Sequence, residues 1–223
     1  MARMLVLSVL SQLVLLLAPV LSQPLNSTRA IQQQLECYTQ GGGGGLSEVF
    51  IDAISDLEKY SWDDKISSCC ATGSWLLYTD KEYNNEREGV AMYWIYGENT
   101  CLDMPDRFNN QASSLRYAGS RADWCFPSIN LYYGQYFSGV DSAWYFKDMP
   151  SLGSLAVQSL IVSGDSAWTL YEGENYSGRS VCLPPSTSGA CLPAVYLDYL
   201  VIGSVKKGCY GDTLEQSIIK QLK

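Results

Sequence analysis

Short runs of apolar residues alternate with glycine-containing turns along most of the chain. Residues 90–96, 160–162 and 200–202 are rich in β-branched or aromatic side chains, which favour strands. Strands separated by such turns about every dozen residues are typical of a sandwich built from Greek keys. The pattern therefore predicts an all-β fold.

Two segments depart from this pattern because their apolar residues have helical spacing. Between residues 46 and 57 we expect either a short helix or a strand. At the C-terminus, a short amphipathic helix would pack on its own chain or on a partner. The apolar residues are Leu46, Val49, Phe50, Ala53, Ile54 and Leu57 in the first segment, and Leu214, Ile218, Ile219 and Leu222 in the second.

One hairpin motif occurs four times, starting at Tyr38, Tyr78, Tyr132 and Tyr171. Its complete form is an aromatic residue, four residues, a second aromatic residue, one residue and a glycine. The copy at Tyr78 ends in Asn85 instead of glycine, and Asn tolerates the left-handed backbone well. The copy at Tyr38 runs into glycines 41–45, which replace the second aromatic residue. Each copy predicts a folded β-hairpin in which two aromatic rings pack across a glycine turn.

The four starts form two close pairs with a longer gap between them, which predicts two domains of two motifs each. The linker composition of residues 118–124 suits the junction. We expect a signal peptide at 1–22, an N-terminal segment at 23–35 and a tail at 211–223. The two domains would occupy residues 36–120 and 121–210.

The N-terminus has the features of a secretory signal peptide. Arg3 precedes an apolar run over residues 5–17, and small residues follow at 20–22. The run is too short for a good transmembrane span. We expect a secreted, extracellular protein with no membrane span, and a glycan at Asn26 of the Asn-Ser-Thr sequon. Asn175 also begins a sequon, but it falls inside a predicted hairpin.

All eight cysteines follow the signal peptide, and an even number in a secreted chain indicates disulfides. Eight cysteines allow 105 pairings, and the sequence does not select one. Cys182 and Cys191 are close enough along the chain to close a local loop, so this pair is slightly favoured.

Composition excludes several classes of activity. The chain has no histidine, which removes Ser-His-Asp and Cys-His catalysis and His-ligated zinc. No carboxylate pair stands out, so a carboxylate-based hydrolase is a distant alternative and we expect no enzyme. The net charge of -8 makes nucleic acid an unfavourable partner.

Two six-residue turns, 63–68 and 109–114, share the pattern of two Asn/Asp residues, any two residues and two serines. Such a turn presents the oxygen donors that Ca²⁺ prefers. The alternative is a turn whose side chains cap its own backbone. Two copies within one predicted domain favour calcium.

With the hairpins and these turns together, the chain resembles the βγ-crystallins over residues 37–210. The resemblance implies two Greek-key β-sandwich domains, each from two motifs, and up to two Ca²⁺ ions in the first. It implies a side-chain oxygen from the second Asn/Asp, a backbone carbonyl from the next residue and a hydroxyl from the first serine. The site residues, including the first Asn/Asp of each turn, are Asp63, Asp64, Lys65 and Ser67, and Asn109, Asn110, Gln111 and Ser113.

The resemblance also implies that the first hairpin of the partner motif completes each site. Asp80 and Glu82 are candidates in one hairpin, whereas glycines 41–45 offer only backbone carbonyls and a weaker site. In the second domain the aligned turns, 154–159 and 194–199, lack the initial oxygen pair. We expect no calcium there.

The aromatic residues raise the question of a glycan surface. Trp75, Trp144 and Trp168 lie in strand patterns and are expected in the core. Tyr93, Trp94 and Tyr96 cannot all face inward from one strand, so they are the candidate surface patch.

The sequence predicts a secreted calcium-binding structural or interaction protein, with an extracellular protein or glycan as partner and calcium mainly stabilising the first domain. The alternative is a secreted defence or recognition protein, such as a lectin-like binder, a protease inhibitor or a partner of a pore-forming protein. The fold alone does not choose between these functions.

Overall fold

The structure is a computed structural model that describes residues 30–86, 92–140, 142–188, 191–196 and 198–214. The predicted signal peptide, the Asn26 sequon and the tail beyond Leu214 lie outside these residues. No helix within the described ranges is long and apolar enough to cross a membrane. The described strands are β1 (Gln34–Gln40), β2 (Gly44–Phe50), β3 (Ser68–Tyr78), β4 (Met92–Asp103), β5 (Ser114–Tyr117), β6 (Ser128–Tyr132), β7 (Ser142–Tyr145), β8 (Leu155–Val157), β9 (Ser159–Ser163), β10 (Trp168–Tyr171), β11 (Ser180–Leu183), β12 (Ala194–Tyr196), β13 (Leu200–Ile202), β14 (Ser204–Lys207) and β15 (Asp212–Thr213).

The first domain contains β1 to β5, in the order β2-β1-β3-β4 with β5 paired to β3. β3 and β4 pair along their whole length, and their register shifts between Ala71 and Gly73. Gly73 (φ 112°) and Gly97 (φ 136°) face each other at the shift. A Cβ on Gly73 would lie 2.7 Å from Cγ of Gln33, so only glycine fits there. The two glycines lie where β3 changes its second partner, from β1 before the shift to β5 after it.

The segment between residues 46 and 57 forms strand β2, followed by a short 3₁₀ turn at Leu57–Tyr60, instead of a helix. Leu46 and Val49 are exposed, and only Phe50 and Leu57 of its apolar residues are buried in the core of the first domain. Pairing with β1 overrides the helical spacing, because tertiary contacts outweigh a weak local periodicity.

The second domain has two four-stranded sheets, ordered β12-β9-β6-β7 and β14-β10-β11-β15, and the short pair β8–β13. In each motif the third strand pairs with the last strand of the partner motif. Met149 bridges to Val205, and β12 pairs with β9. In the first domain Ile54 bridges to Leu115 in the same way. The prediction of an all-β protein with two Greek-key sandwich domains is confirmed.

The four predicted hairpins fold over as the motif requires. The second aromatic residue is left-handed in Tyr83 (φ 58°), Phe137 (φ 61°) and Tyr176 (φ 60°). Each ring packs edge-on against the first aromatic residue, with centroids 5.3–5.7 Å apart. In the degenerate copy Gly43 takes this position at φ 75°, beneath the Tyr38 ring. The prediction for Asn85 is wrong, because Asn84 is left-handed (φ 59°) and Asn85 is not (φ -63°).

A serine at the start of the last strand fastens every hairpin. Each hydroxyl donates to a hairpin carbonyl at 2.6–2.7 Å and accepts from a hairpin N–H at 2.9–3.1 Å. These residues, called the hairpin serines below, are Ser68, Ser114, Ser159 and Ser204. They show that the fourth six-residue turn is 199–204. The expected turn at 194–199 is wrong, because that segment contains β12 of the opposite sheet.

All eight cysteines form disulfides in the described residues, and the expected Cys182–Cys191 pair is wrong. Cys182 lies on β11, whereas Cys191 precedes β12 of the other sheet, so their closeness in sequence is not closeness in space. The pairs are Cys37–Cys69, Cys70–Cys101, Cys125–Cys191 and Cys182–Cys209. Four disulfides are typical of extracellular proteins.

A third apolar cluster, called the interdomain cluster below, joins the two domains. Leu76, Tyr78 and Ala118 contribute from the first domain. Tyr132, Phe137, Ile161 and Val195 contribute from the second.

Arg116 on β5 is the polar centre of the interdomain cluster and is only 5% exposed. Its guanidinium donates to the carbonyls of Phe137 and Gly139 in the second domain and to the Tyr78 hydroxyl. Its central carbon lies 4.5 Å from the Tyr83 ring and 4.7 Å from the Tyr132 ring. A desolvated guanidinium between aromatic faces is strongly attracted to them.

Replacing Arg116 with Ala should lower the free energy of unfolding by about 3 kcal/mol, because it leaves buried carbonyls without donors. Arg121→Ala is the control, since Arg121 forms an exposed ion pair with Asp52 and its loss should cost under about 1 kcal/mol. Urea unfolding measures both. Equal losses would contradict the role given to Arg116.

Alkaline pH should weaken the interdomain cluster. Burial raises the pKa of the Tyr78 hydroxyl to about 12, against an ordinary value of 10.0, although Arg116 acts in the opposite direction. The folded protein therefore retains a proton that the unfolded chain loses, and stability is lost as pH rises from about 10 to about 12. The expected slope is about 1.4 kcal/mol per pH unit for this one group.

Urea unfolding at successive alkaline pH values measures that slope, and Tyr78→Phe is the comparison because it removes the titrating hydroxyl. The slope should be smaller in the variant. Identical slopes would show that Tyr78 does not contribute.

Candidate metal centre

The two six-residue turns of the first domain lie side by side. The N–H of Asp64 donates to the Ala112 carbonyl at 3.1 Å, and the N–H of Asn110 donates to the Ile66 carbonyl at 3.0 Å. The two bonds are equivalent, so the turns are related by a local pseudo-two-fold axis.

The second Asn/Asp of each turn has a left-handed backbone, with φ 53° at Asp64 and φ 55° at Asn110. Among residues other than glycine, Asn and Asp adopt this conformation most readily. Part of the pattern therefore serves the backbone conformation of the turn. The left-handed backbone explains why Asp or Asn occurs at this position, but it does not occupy the side-chain oxygens, which remain available to bind a ligand.

Each turn is also tied to the hairpin of its own motif. The N–H of Ser67 donates to the Tyr38 carbonyl at 2.9 Å, and the N–H of Ser113 donates to the Tyr78 carbonyl at 2.8 Å. Ser67 and Ser113 are both buried. The hydroxyl that the motif predicts as a ligand is thus held at a fixed place between turn and hairpin.

Three oxygen atoms from three segments converge at Ser67. Its hydroxyl lies 3.1 Å from the carbonyl oxygen of Thr39 and 3.0 Å from Oδ1 of Asn110. The resemblance grouped Asn110 with Ser113 of its own turn, whereas the structure joins Asn110 to Ser67 of the other turn. The antiparallel pairing of the turns causes this exchange, because it places the second residue of each turn opposite the serine of its partner.

The remaining predicted residues surround this centre. Lys65 donates its ammonium to the Ser61 carbonyl at 2.7 Å, and the Gln111 amide donates to the Asn110 carbonyl at 2.9 Å. Asn109 donates its N–H to the Pro105 carbonyl at 2.9 Å. Neither long side chain is bonded toward the centre, in keeping with a contribution through backbone carbonyls.

The two carboxylates of the first turn have few partners for their negative charge. Oδ1 of Asp63 is buried without a hydrogen-bond partner. Loss of hydration, together with the neighbouring charge of Asp63, raises the pKa of the Asp64 carboxyl above its ordinary value. A hard cation would satisfy the orphaned oxygen and relieve the repulsion, so the residues present fit Ca²⁺.

Two aspartates that sequence reasoning missed occupy equivalent positions next to the hairpins. Asp103 accepts from the N–H of Gly42 at 2.6 Å, so the glycine hairpin does have a carboxylate beside it. Asp56 meets Lys81 of the second hairpin, with Oδ1 3.2 Å from Nζ. Asp56 precedes Leu57, whose N–H donates to the Ser113 carbonyl, and Asp103 precedes Met104, whose N–H donates to the Ser67 carbonyl, both at 2.8 Å. These contacts exist only in the folded chain, so no sequence pattern marks the two aspartates.

Within the described ranges, no three His, Cys, Asp or Glu side chains are grouped closely enough to hold a metal ion. The candidate centre instead combines hydroxyl, amide and carbonyl oxygens with single carboxylates.

The equivalent turns of the second domain are apolar. They pair with each other as β8 and β13, and Val157 and Ile202 are buried in the core of the second domain. Gln158 and Gly203 occupy the positions of Ser67 and Ser113. These turns contribute packing where the first domain presents oxygen atoms.

The aromatic residues are arranged differently from the sequence expectation. Trp75 and Trp168 are buried, but Trp144 is 54% exposed, because Ala143 and Tyr145 are the β7 residues that face the core. In the proposed patch, Tyr93 packs on the first core and Trp94 on the interdomain cluster. Tyr96 stacks on Trp94 at 4.3 Å, so the patch is half-buried. The exposed aromatic residues include Phe126, Trp144, Phe146, Tyr199 and Tyr210.

Comparison with known proteins supports the architecture. No protein-family model matches the chain, and no curated protein matches it significantly. Among solved structures it is similar to Geodin, a βγ-crystallin from Geodia cydonium, with a TM-score of 0.62 and 19% sequence identity over 79% of this chain and 99% of that chain.

Two further solved structures match with lower TM-scores. One is a βγ-crystallin from Ciona intestinalis, with a TM-score of 0.32 and 17% identity over 38% of this chain and 98% of that chain. The other is Protein S complexed with calcium, with a TM-score of 0.30 and 16% identity over 79% of this chain and 99% of that chain. The likeness to Geodin, the four folded hairpins and the exchanged third strands together show that the chain has the βγ-crystallin fold.

Proposed function

We propose that this is a secreted structural or interaction protein whose first domain binds up to two calcium ions. The observation that carries the proposal is the convergence of the Ser67 hydroxyl, the Asn110 amide oxygen and the Thr39 carbonyl within 3.1 Å. Three oxygen donors from three separate segments meet at one point, which local capping of a single turn does not require.

We infer the ligands of the second proposed site from those of the first through the pseudo-two-fold relation between the turns. Ser67, Asn110 and the Thr39 carbonyl hold the first ion, and Asp103 is the nearby carboxylate. Ser113, Asp64 and the Thr79 carbonyl hold the second ion. Asp56 is the equivalent of Asp103, and Asp80 and Glu82 lie on the adjacent hairpin. Backbone carbonyls of Lys65 and Gln111, together with the first residues of the turns, Asp63 and Asn109, complete the sets.

The expected role of calcium is stabilisation. Extracellular modules bind calcium at about 10⁻⁴ to 10⁻³ M, close to the level around secreted proteins. An ion present at about ten times its dissociation constant adds about 1.4 kcal/mol to the stability of the folded state. An ion that is bound almost constantly supports a structure and carries no signal.

Secretion is part of the proposal. Four disulfides require an oxidising compartment during folding, and the N-terminal residues have the composition of a signal peptide. Cleavage after Ser22 would leave Gln23 as the first residue and Asn26 available for glycosylation. N-terminal sequencing of the secreted protein tests this, and an intact N-terminus would overturn it.

Ser67→Ala should raise the calcium dissociation constant about tenfold, because it removes the oxygen at which the first set converges. Gln158→Ala is the matched control at the equivalent position of the second domain and should leave calcium binding unchanged. Calorimetric titration of the mature protein measures both. A larger rise in the dissociation constant for Gln158→Ala would place the calcium site in the second domain and contradict the proposal.

Asp63→Asn should stabilise the protein without calcium and reduce the stabilisation that calcium adds. In chelator the variant should be more stable by about 0.5 kcal/mol, because it removes a carboxylate beside Asp64. The rise in melting temperature from chelator to calcium should be smaller for the variant than for the wild type. Asp106→Asn, an exposed aspartate outside the turns, is the control, and identical melts for both variants would refute the argument.

A further inference from the structure

The second domain has a groove at the position where the first domain has its second oxygen-rich turn. The groove has a volume of about 840 Å³ and lies between hairpin residues 171–180, the turn at 199–202 and residues 210–212. The positions correspond because the N–H of Gly203 donates to the Tyr171 carbonyl at 2.8 Å, as that of Ser113 does to Tyr78.

Two exposed tyrosines line the groove. Tyr199 is 65% exposed and Tyr210 is 59% exposed, although both are large and partly apolar. The ammonium of Lys206 lies 4.6 Å from the centre of the Tyr210 ring, which restrains that ring without covering the groove. Exposed aromatic residues that are held in place around a concavity are typical of a binding site.

An ion pair, together with Asp212, supplies the charged part of the lining. Arg179 and Glu172 are joined with Nη2 and Oε1 2.6 Å apart. The hydrogen bond from Arg179 lowers the pKa of the Glu172 carboxyl, so that carboxyl is an ionised acceptor at neutral pH. The pair offers several N–H donors and carboxylate acceptors side by side, with little net charge between them.

We propose that this groove binds a neutral hexopyranose unit of a glycan. A pyranose ring has an apolar face of C–H groups, which can stack on tyrosine, and a rim of hydroxyls, which need donors and acceptors in pairs. The Arg179–Glu172 pair can hydrogen-bond to the hydroxyl rim. Tyr199 and Tyr210 can stack on the C–H face. An anionic ligand fits less well, because Arg179 is already paired with Glu172 and Asp212 adds a further carboxylate to the lining.

Binding in this groove is independent of calcium. The turn at its wall is Leu200–Ile202, whose side chains have no oxygen donors, and Ile202 is buried in the core of the second domain. The proposal therefore does not rest on calcium binding by the first domain, and either can fail while the other holds.

Saturation-transfer NMR on the mature protein tests the proposal, with methyl hexopyranosides of gluco, galacto and manno configuration as probes. At least one of them should receive saturation on its ring C–H protons, equally in calcium and in chelator. No transfer to any of the three overturns the proposal. Transfer that disappears in chelator overturns it as well, because the site would then require calcium.

Variants locate the binding. Tyr199→Ala and Tyr210→Ala should each raise the dissociation constant about tenfold, as expected for an aromatic residue central to a site. Both residues are exposed, so the melting temperature should stay the same and the fold intact. Tyr60→Ala removes an equally exposed tyrosine of the first domain and should change nothing. Equal affinity in all three variants would mean that the sugar binds elsewhere.

Discussion

The buried hydroxyl of the hairpin serine is the interaction on which the four motifs depend. Each hairpin folds back through consecutive left-handed residues, such as Glu82 and Tyr83 at φ 53° and 58°. A left-handed residue other than glycine costs about 1–2 kcal/mol, so the hairpin needs an external restraint. The Ser114 hydroxyl provides it by accepting from the Tyr83 N–H and donating to the Asp80 carbonyl. Since the same serine begins the last strand, one contact sets both the hairpin fold and the strand register.

The two domains use one framework for different surfaces. In the first domain the turns before the hairpin serines carry oxygen atoms, and their pairing brings Asn110 to Ser67. In the second domain the same turns are apolar and pair as β8 and β13. The framework tolerates both because the hairpin serines and the backbone hold the turn in place. The side chains of the turn are therefore free to differ in chemistry.

The sequence predicted the features that depend on local chemistry. Glycine and paired aromatic residues identified the hairpins, and two-fold repetition identified the oxygen-rich turns. It could not predict features that arise from tertiary packing. The cysteine nearest to Cys182 lies in another sheet, and the fourth turn was misplaced because it has no oxygen pair to mark it. The grouping of Asn110 with Ser67 requires two turns to pair, which no spacing within either turn reveals.

Arg116 links the proposed calcium site to the second domain through very few residues. The Tyr78 carbonyl accepts from Ser113, which belongs to the second proposed ligand set, and the Tyr78 hydroxyl contacts both Arg116 and Phe137 of the second domain. An ion bound at Ser113 would restrain the same tyrosine that Arg116 holds. Stabilisation of the first domain would then also order the interdomain cluster, because a hairpin that opens must break both contacts at once. The second domain, which carries the groove proposed to bind sugar, would share that stability without contacting the ion.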